Sequence, residues 1–126
     1  MDKRKILLDV PYLEESDVND QGELIPSVCK GKPTLVLLQA NFCPHCTVVK
    51  PDFQKLLNHN DKFTIATIQC DGGDTDKKAC QKISNRLGEK FRGFPTYVIF
   101  NKNGSFKEIC EVGRDYNSLN NYMQRL

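Results

Sequence analysis

Histidine is scarce in this sequence, with two residues, His45 and His59, in 126. A histidine-built metal centre is therefore not expected. A zinc clip on the cysteines would need a second C-x-x-C, and Cys70 and Cys80 are spaced too widely for a zinc knuckle. Long apolar runs are missing as well. None approaches the roughly 20 residues of a membrane span, so the chain reads as soluble, with no membrane partner. Neither sign of charge dominates: charged residues are 27% of the chain, are mixed along it, and leave a net charge of +2. That balance gives no electrostatic reason to expect nucleic acid or an anionic membrane surface. The amino terminus, MDKRKILLDVPYLEESD, starts basic, but Asp9 and Pro11 break its short apolar stretch, so it does not read as a secretory signal. Internal repeats and low-complexity segments are absent too.

What is present suits one domain spanning 1–126, since 39% hydrophobic residues suffice for a core at this length. Six cysteines are too few for a disulfide-built scaffold. Without a secretory signal they favour reduced, catalytic or metal-binding thiols.

Thr34 to Ala40 (TLVLLQA) is a continuous apolar run, as in a central strand buried on both faces. Val48, Val49, Phe53, Leu56 and Leu57 follow at helical spacing up to the polar Asn58-His59-Asn60. Phe63 to Cys70 then alternates like a strand, which implies a parallel pair with a right-handed crossover. Asp74 to Asp76 are candidate caps for a second helix carrying Ala79, Cys80, Ile83 and Leu87 on one face. Tyr97 to Phe100 and Phe106 to Val112 flank Asn103-Gly104, a hairpin-turn signal; Asn103-Gly104-Ser105 is also a glycosylation sequon, but the turn reading is preferred. A last helix carries Tyr116, Leu119, Tyr122, Met123 and Leu126. Ile6 to Val10 is a candidate first strand, and a helix is expected between Ser16 and Lys30, with limits blurred by Gly22 and Pro26. The result is an α/β fold, a mixed sheet with helices on both faces.

In such sheets the reactive site lies beyond the carboxyl ends of the parallel strands, and Asn41-Phe42-Cys43-Pro44-His45-Cys46 lies there. A helix amino terminus offers unpaired N–H groups and about half a positive charge. Proline is tolerated in its first turn. A thiolate at Cys43 is stabilised there, and His45 adds a second cationic or hydrogen-bonding group, so the thiol pKa falls from about 8.5 toward neutrality. Cys43 is the expected nucleophile. Cys46, one turn further in and more buried, is the expected resolving thiol.

With these residues the chain resembles the thioredoxin superfamily, a likeness covering essentially the whole sequence. It rests on Phe42-Cys43-Pro44-His45-Cys46, with Phe42 where tryptophan is usual; on Pro51, matching the proline that kinks the active-site helix; on Arg92-Gly93-Phe94-Pro95-Thr96, similar to the cis-proline loop of disulfide isomerases; and on Gly113-Arg114 after the last strand. The resemblance implies that Pro95 is cis and faces the Cys43 sulfur, and that the backbone of Phe94 pairs with an extended substrate. Phe42, Pro44, Phe94 and Pro95 would meet the substrate, with the two phenylalanines as an apolar collar. Arg114 resembles an isomerase arginine that lowers the pKa of the resolving cysteine. Cys70 and Cys80 resemble the extra disulfide of some isomerase-like domains, with reduced packing cysteines as the alternative. Cys29 and Cys110 read as free thiols.

One position departs from the family. Six residues before the first active-site cysteine, where a buried carboxylate usually takes the resolving thiol's proton, stands Leu37. The Pro-His spacer matches DsbA-type oxidants, without room for their inserted helical domain. The expected activity is dithiol-disulfide exchange on protein substrates, leaning toward oxidation or isomerisation, in a monomer that needs no cofactor and is recycled by a redox partner. The alternatives are a thioredoxin-like reductase and a redox-sensing module that binds without turnover. A glutaredoxin using glutathione fits less well, because a strand and helix precede the C-x-x-C. Cytoplasmic or virion-associated placement is favoured over the secretory pathway.

Overall fold

The computed structural model describes residue 7, residues 9–57 and residues 61–126. A four-stranded sheet has the order β2-β1-β3-β4. β1 (Thr34–Gln39) pairs in parallel with β2 (Thr64–Gln69) and antiparallel with β3 (Thr96–Phe100), which pairs antiparallel with β4 (Phe106–Ile109). All six residues of β1 are buried, as its uninterrupted apolar run requires of a strand flanked on both edges and covered on both faces.

Alternate strand residues feed two separate cores, because successive side chains point to opposite faces. Leu35, Leu37, Ile65, Tyr97 and Ile99 pack with Val49, Phe53 and Leu56 of α2 (Pro44–Leu56) and with Leu119 and Met123 of α4 (Tyr116–Gln124). Val36, Leu38, Ala66, Ile68, Val98 and Phe100 pack with Ala79, Cys80, Ile83 and Leu87 of α3 (Asp74–Leu87) and with Cys29 of the one-turn helix α1 (Pro26–Cys29). Helices thus cover both faces of a mixed α/β sheet. Val48, grouped by periodicity with the inward stripe of α2, is instead 76% exposed. The buried stripe of that helix is Cys46, Val49, Lys50, Phe53 and Leu56.

The caps differ from expectation at α3. Its N-cap is Gly73, and Asp76 reaches back so that its carboxylate accepts the Gly73 N–H at 3.0 Å. Asp115 caps α4 by accepting from the Ser118 N–H at 3.0 Å. Asn103-Gly104 turns the β3–β4 hairpin, with Gly104 at φ +96°.

The segment before β1 is not one helix. Its described residues hold a 3-10 turn at Glu15–Asp17, an antiparallel bridge between Val18 and Leu24, and then α1. Asn19 organises the turn between the bridged residues, its side-chain oxygen accepting from the N–H groups of Gln21 and Glu23. Gly22 (φ +74°) lies so close to α3 that a Cβ there would sit 2.6 Å from the Lys82 carbonyl oxygen. Of the strand expected at Ile6–Val10, Ile6 and Leu8 lie outside the described residues, and Leu7, Asp9 and Val10 are not in a strand. A short parallel bridge onto the free edge of β2 does form, but at Tyr12 opposite Thr67.

Candidate active site

β1 ends at Gln39, and four residues later Cys43 is the N-cap of α2, with Pro44 in its first turn. Pro44 has no N–H, so the first amides available to an anion at this terminus are those of His45 and Cys46. Burial alone would push the Cys43 thiol up. The Cys46 amide and thiol, the His45 amide and the Arg114 charge together outweigh it and hold the thiol below its ordinary value. His45 contributes here through its backbone; its ring is exposed. Cys43 is 8% exposed, while Cys46 is completely enclosed. Burial pushes the Cys46 thiol up to about 11, against the lowering effects of the Ala40 backbone and the Lys50 charge. Both thiols are free, so this is the dithiol state of the pair.

The second half of the site arrives from the start of β3. The Phe94–Pro95 peptide is cis. The Phe94 carbonyl oxygen accepts a hydrogen bond from the Cys43 thiol at 3.5 Å, so the loop lies directly against the reactive sulfur. Phe42, 72% exposed, meets the Phe94 ring edge-to-face at 6.0 Å between centroids. Phe94 in turn stacks edge-to-face on Phe91 at 5.5 Å. Beside this collar runs a groove of about 320 Å³ lined by Phe94, Pro95, Tyr97 and Arg114. Arg114 itself is exposed, and the sulfur its charge reaches with a lowering effect is Cys43.

Cys70 and Cys80 are joined in a disulfide that ties the end of β2 to α3. Cys29 and Cys110 are free and buried, and burial raises both thiols.

Three contributors to the site were not singled out from sequence. Phe91 extends the apolar collar, and Lys50 lies 3% exposed on the inner stripe of α2. Asp71 follows the end of β2, and its carboxylate accepts the amides of Asn41 at 2.9 Å and Phe42 at 3.3 Å. Burial would raise the Asp71 carboxyl, but these amides and the Gln69 side chain hold it below the usual carboxylate range. Its place at the carboxyl end of a parallel strand, beside a C-x-x-C at the end of the next, is the signal that points to it.

The geometry agrees with the comparisons. The family model described as Thioredoxin matches residues 19–125. A putative thioredoxin-like protein, 453L, of Invertebrate iridescent virus 6 is 31% identical over 90% of this chain and 91% of its own length. Protein disulfide-isomerase 1 of Dictyostelium discoideum is 36% identical over 76% of this chain, which spans only 25% of that larger protein. Among solved structures, zinc-bound human ERp44 superposes with a TM-score of 0.67 over 92% of this chain and 29% of its own, at 17% identity. A thioredoxin of Halobacterium salinarum superposes at 0.58 over 76% of this chain and 75% of its own, at 25% identity. A free dithiol at the head of a helix, facing a cis-proline loop, therefore stands in a chain that belongs to the thioredoxin family of thiol-disulfide oxidoreductases.

Proposed function

We propose that the protein catalyses dithiol-disulfide exchange on polypeptide substrates, through Cys43 as nucleophile and Cys46 as resolving thiol, with isomerisation favoured over net reduction. One observation carries the reading: the two sulfurs are held apart in acidity, Cys43 below and Cys46 well above an ordinary thiol. A low-pKa sulfur attacks at neutral pH and is a good leaving group. Isomerisation needs only that. Cys43 opens a substrate disulfide, the substrate rearranges, and a substrate thiol displaces Cys43. Net reduction also requires Cys46 to ionise, and its acidity makes that slow. Phe42, Phe91 and Phe94 supply an apolar surface for an unfolded chain, and the Phe94 backbone an edge for an extended one. A setting in the cytoplasm or in a virus particle, rather than the secretory pathway, is part of this proposal.

The test is to alkylate Cys43 across pH and to measure the redox potential against glutathione on the same sample. The alkylation rate should rise with pH and level off below about 8.5, because the thiolate is the reacting form. The potential should lie on the oxidising side of the thioredoxin value of about −270 mV, since a stabilised thiolate favours the reduced pair. Ionisation like that of a free cysteine would remove the exchange reading, and a thioredoxin-like potential would remove its oxidising lean.

A second expectation concerns Leu37, fully buried against Val49, Phe53 and Tyr97. Leu37→Glu should speed the Cys46-dependent release of a mixed disulfide at neutral pH, by giving the thiol a proton acceptor. It should also lower the melting temperature, because a carboxylate is placed in an apolar core. An unchanged stopped-flow release rate in the folded variant would refute it.

A further inference from the structure

Cys46 and Lys50 lie four residues apart on α2, and both are inside the protein, Cys46 at 0% and Lys50 at 3% exposure. Side chains at that spacing are neighbours on a helix, with Cβ atoms about 5–6 Å apart. Placing an ammonium at such depth is costly, and a lysine normally extends its stem to keep its head in water. Meanwhile position 37, on the strand beneath, holds an apolar side chain. The charge this chain brings to Cys46 is therefore a cation on the helix. The two sulfurs divide the cations between them: Arg114 acts to favour the Cys43 thiolate, and Lys50 acts to favour that of Cys46.

We propose that Lys50 is the positioning residue of the resolving step, its ammonium serving as the countercharge on which the Cys46 thiolate forms. This rests on the reading of Cys43 and Cys46 as an exchange pair. In the mixed disulfide, Cys43 Sγ is bonded to a substrate sulfur. Cys46 gives its proton to water, and its thiolate attacks Cys43 Sγ. The Cys43–Cys46 bond forms, the bond from Cys43 to the substrate breaks, and the electron pair leaves on the substrate sulfur, which takes a proton from water. The protein dithiol is oxidised and the substrate disulfide reduced by two electrons. Lys50 keeps its proton throughout.

Cys43 opposes a second thiolate in the free dithiol but is uncharged once bonded to substrate. Tyr97 of β3, whose phenol burial raises further, stays neutral. Asp52, Cys110 and Arg114 act on Tyr97, Arg114 acts also on Cys43, and the cation acting on Cys46 is Lys50. What matters is positive charge at this depth, whichever other groups Lys50 Nζ also touches.

Ellman's reagent separates this inference from the one beneath it. Attack by Cys43 releases one thionitrobenzoate, and resolution by Cys46 releases the second. In full-length Lys50→Met, the first release should keep its wild-type rate. The second should slow about tenfold at pH 7, with its midpoint about one pH unit higher. Lys50→Arg should retain the wild-type midpoint, and Lys50→Gln is read in the same way as Lys50→Met. A folded, uncharged variant with an unmoved second-phase midpoint overturns the proposal. Absence of the first release from the wild type instead overturns the exchange reading. A measurement needing no Lys50 variant is carbon NMR of the wild type with Cys43 blocked by iodoacetamide. The Lys50 Cε resonance should shift as Cys46 ionises; a resonance indifferent to that titration also overturns the proposal.

Discussion

Cys46→Ala should leave isomerisation of a scrambled disulfide protein within about threefold of its original rate while lowering net reduction at least about a hundredfold, whereas Cys43→Ala should abolish both. In the proposed cycle Cys43 alone suffices for rearrangement: its thiol is held below the ordinary value, it meets the cis-proline loop, and it is the less enclosed residue of the pair. Cys46 is enclosed, and burial pushes its thiol up to about 11, so at neutral pH it is almost wholly protonated. On that reading Cys46 serves as an exit from complexes that fail to rearrange. Refolding of a scrambled protein in a glutathione buffer, run beside a turbidity assay of disulfide reduction, measures the two activities separately. Equal loss of both in Cys46→Ala would show that every productive cycle passes through the second sulfur, and the isomerase lean would be wrong.

The second large effect is on stability. Gly104 sits at φ +96°, and a Cβ there would fall 2.0 Å from the Leu24 carbonyl oxygen. The Gly104 carbonyl also accepts the Leu24 N–H at 2.9 Å, which docks the amino-terminal segment on the hairpin turn. Gly104→Ala therefore combines a disfavoured dihedral, a backbone clash and the loss or stretching of that hydrogen bond, together about 3 kcal/mol. The melting temperature should fall by on the order of 10 °C in a circular dichroism scan. The turn lies at the far end of β3 from Pro95, so the first release from Ellman's reagent should be unchanged at 25 °C. A shift of only a degree or two would mean that Leu24 moves aside freely and that its docking contributes little.

The core of the fold was legible because its signals are local. The apolar run at Thr34 to Gln39, the helical spacing of Val49, Phe53 and Leu56, and Asn103-Gly104 each specify an element without reference to the rest of the chain. The nucleophile was legible for the same reason, since a strand, a C-x-x-C and a helix in succession place a sulfur on unpaired amides. Residues 11–30 resisted because their order is tertiary. Tyr12 and Val18 each make a single bridge, and Gly22 takes its form from the α3 backbone beside it. Lys50 resisted for a different reason. Inside a helical pattern a lysine reads as a water-facing position, and only the packed structure shows it on the inner stripe. Asp71 reads as a loop acid until the amides of Asn41 and Phe42 are seen to converge on it.

The remaining four sulfurs bear on a hazard particular to this chemistry, that a molecule able to shuffle bonds in others can also tangle its own. Cys70 and Cys80 already hold each other, and Cys29 and Cys110 lie in opposite cores, away from water and disinclined to ionise. The protein thereby confines exchange to Cys43 and Cys46, with its other cysteines either bonded to each other or buried.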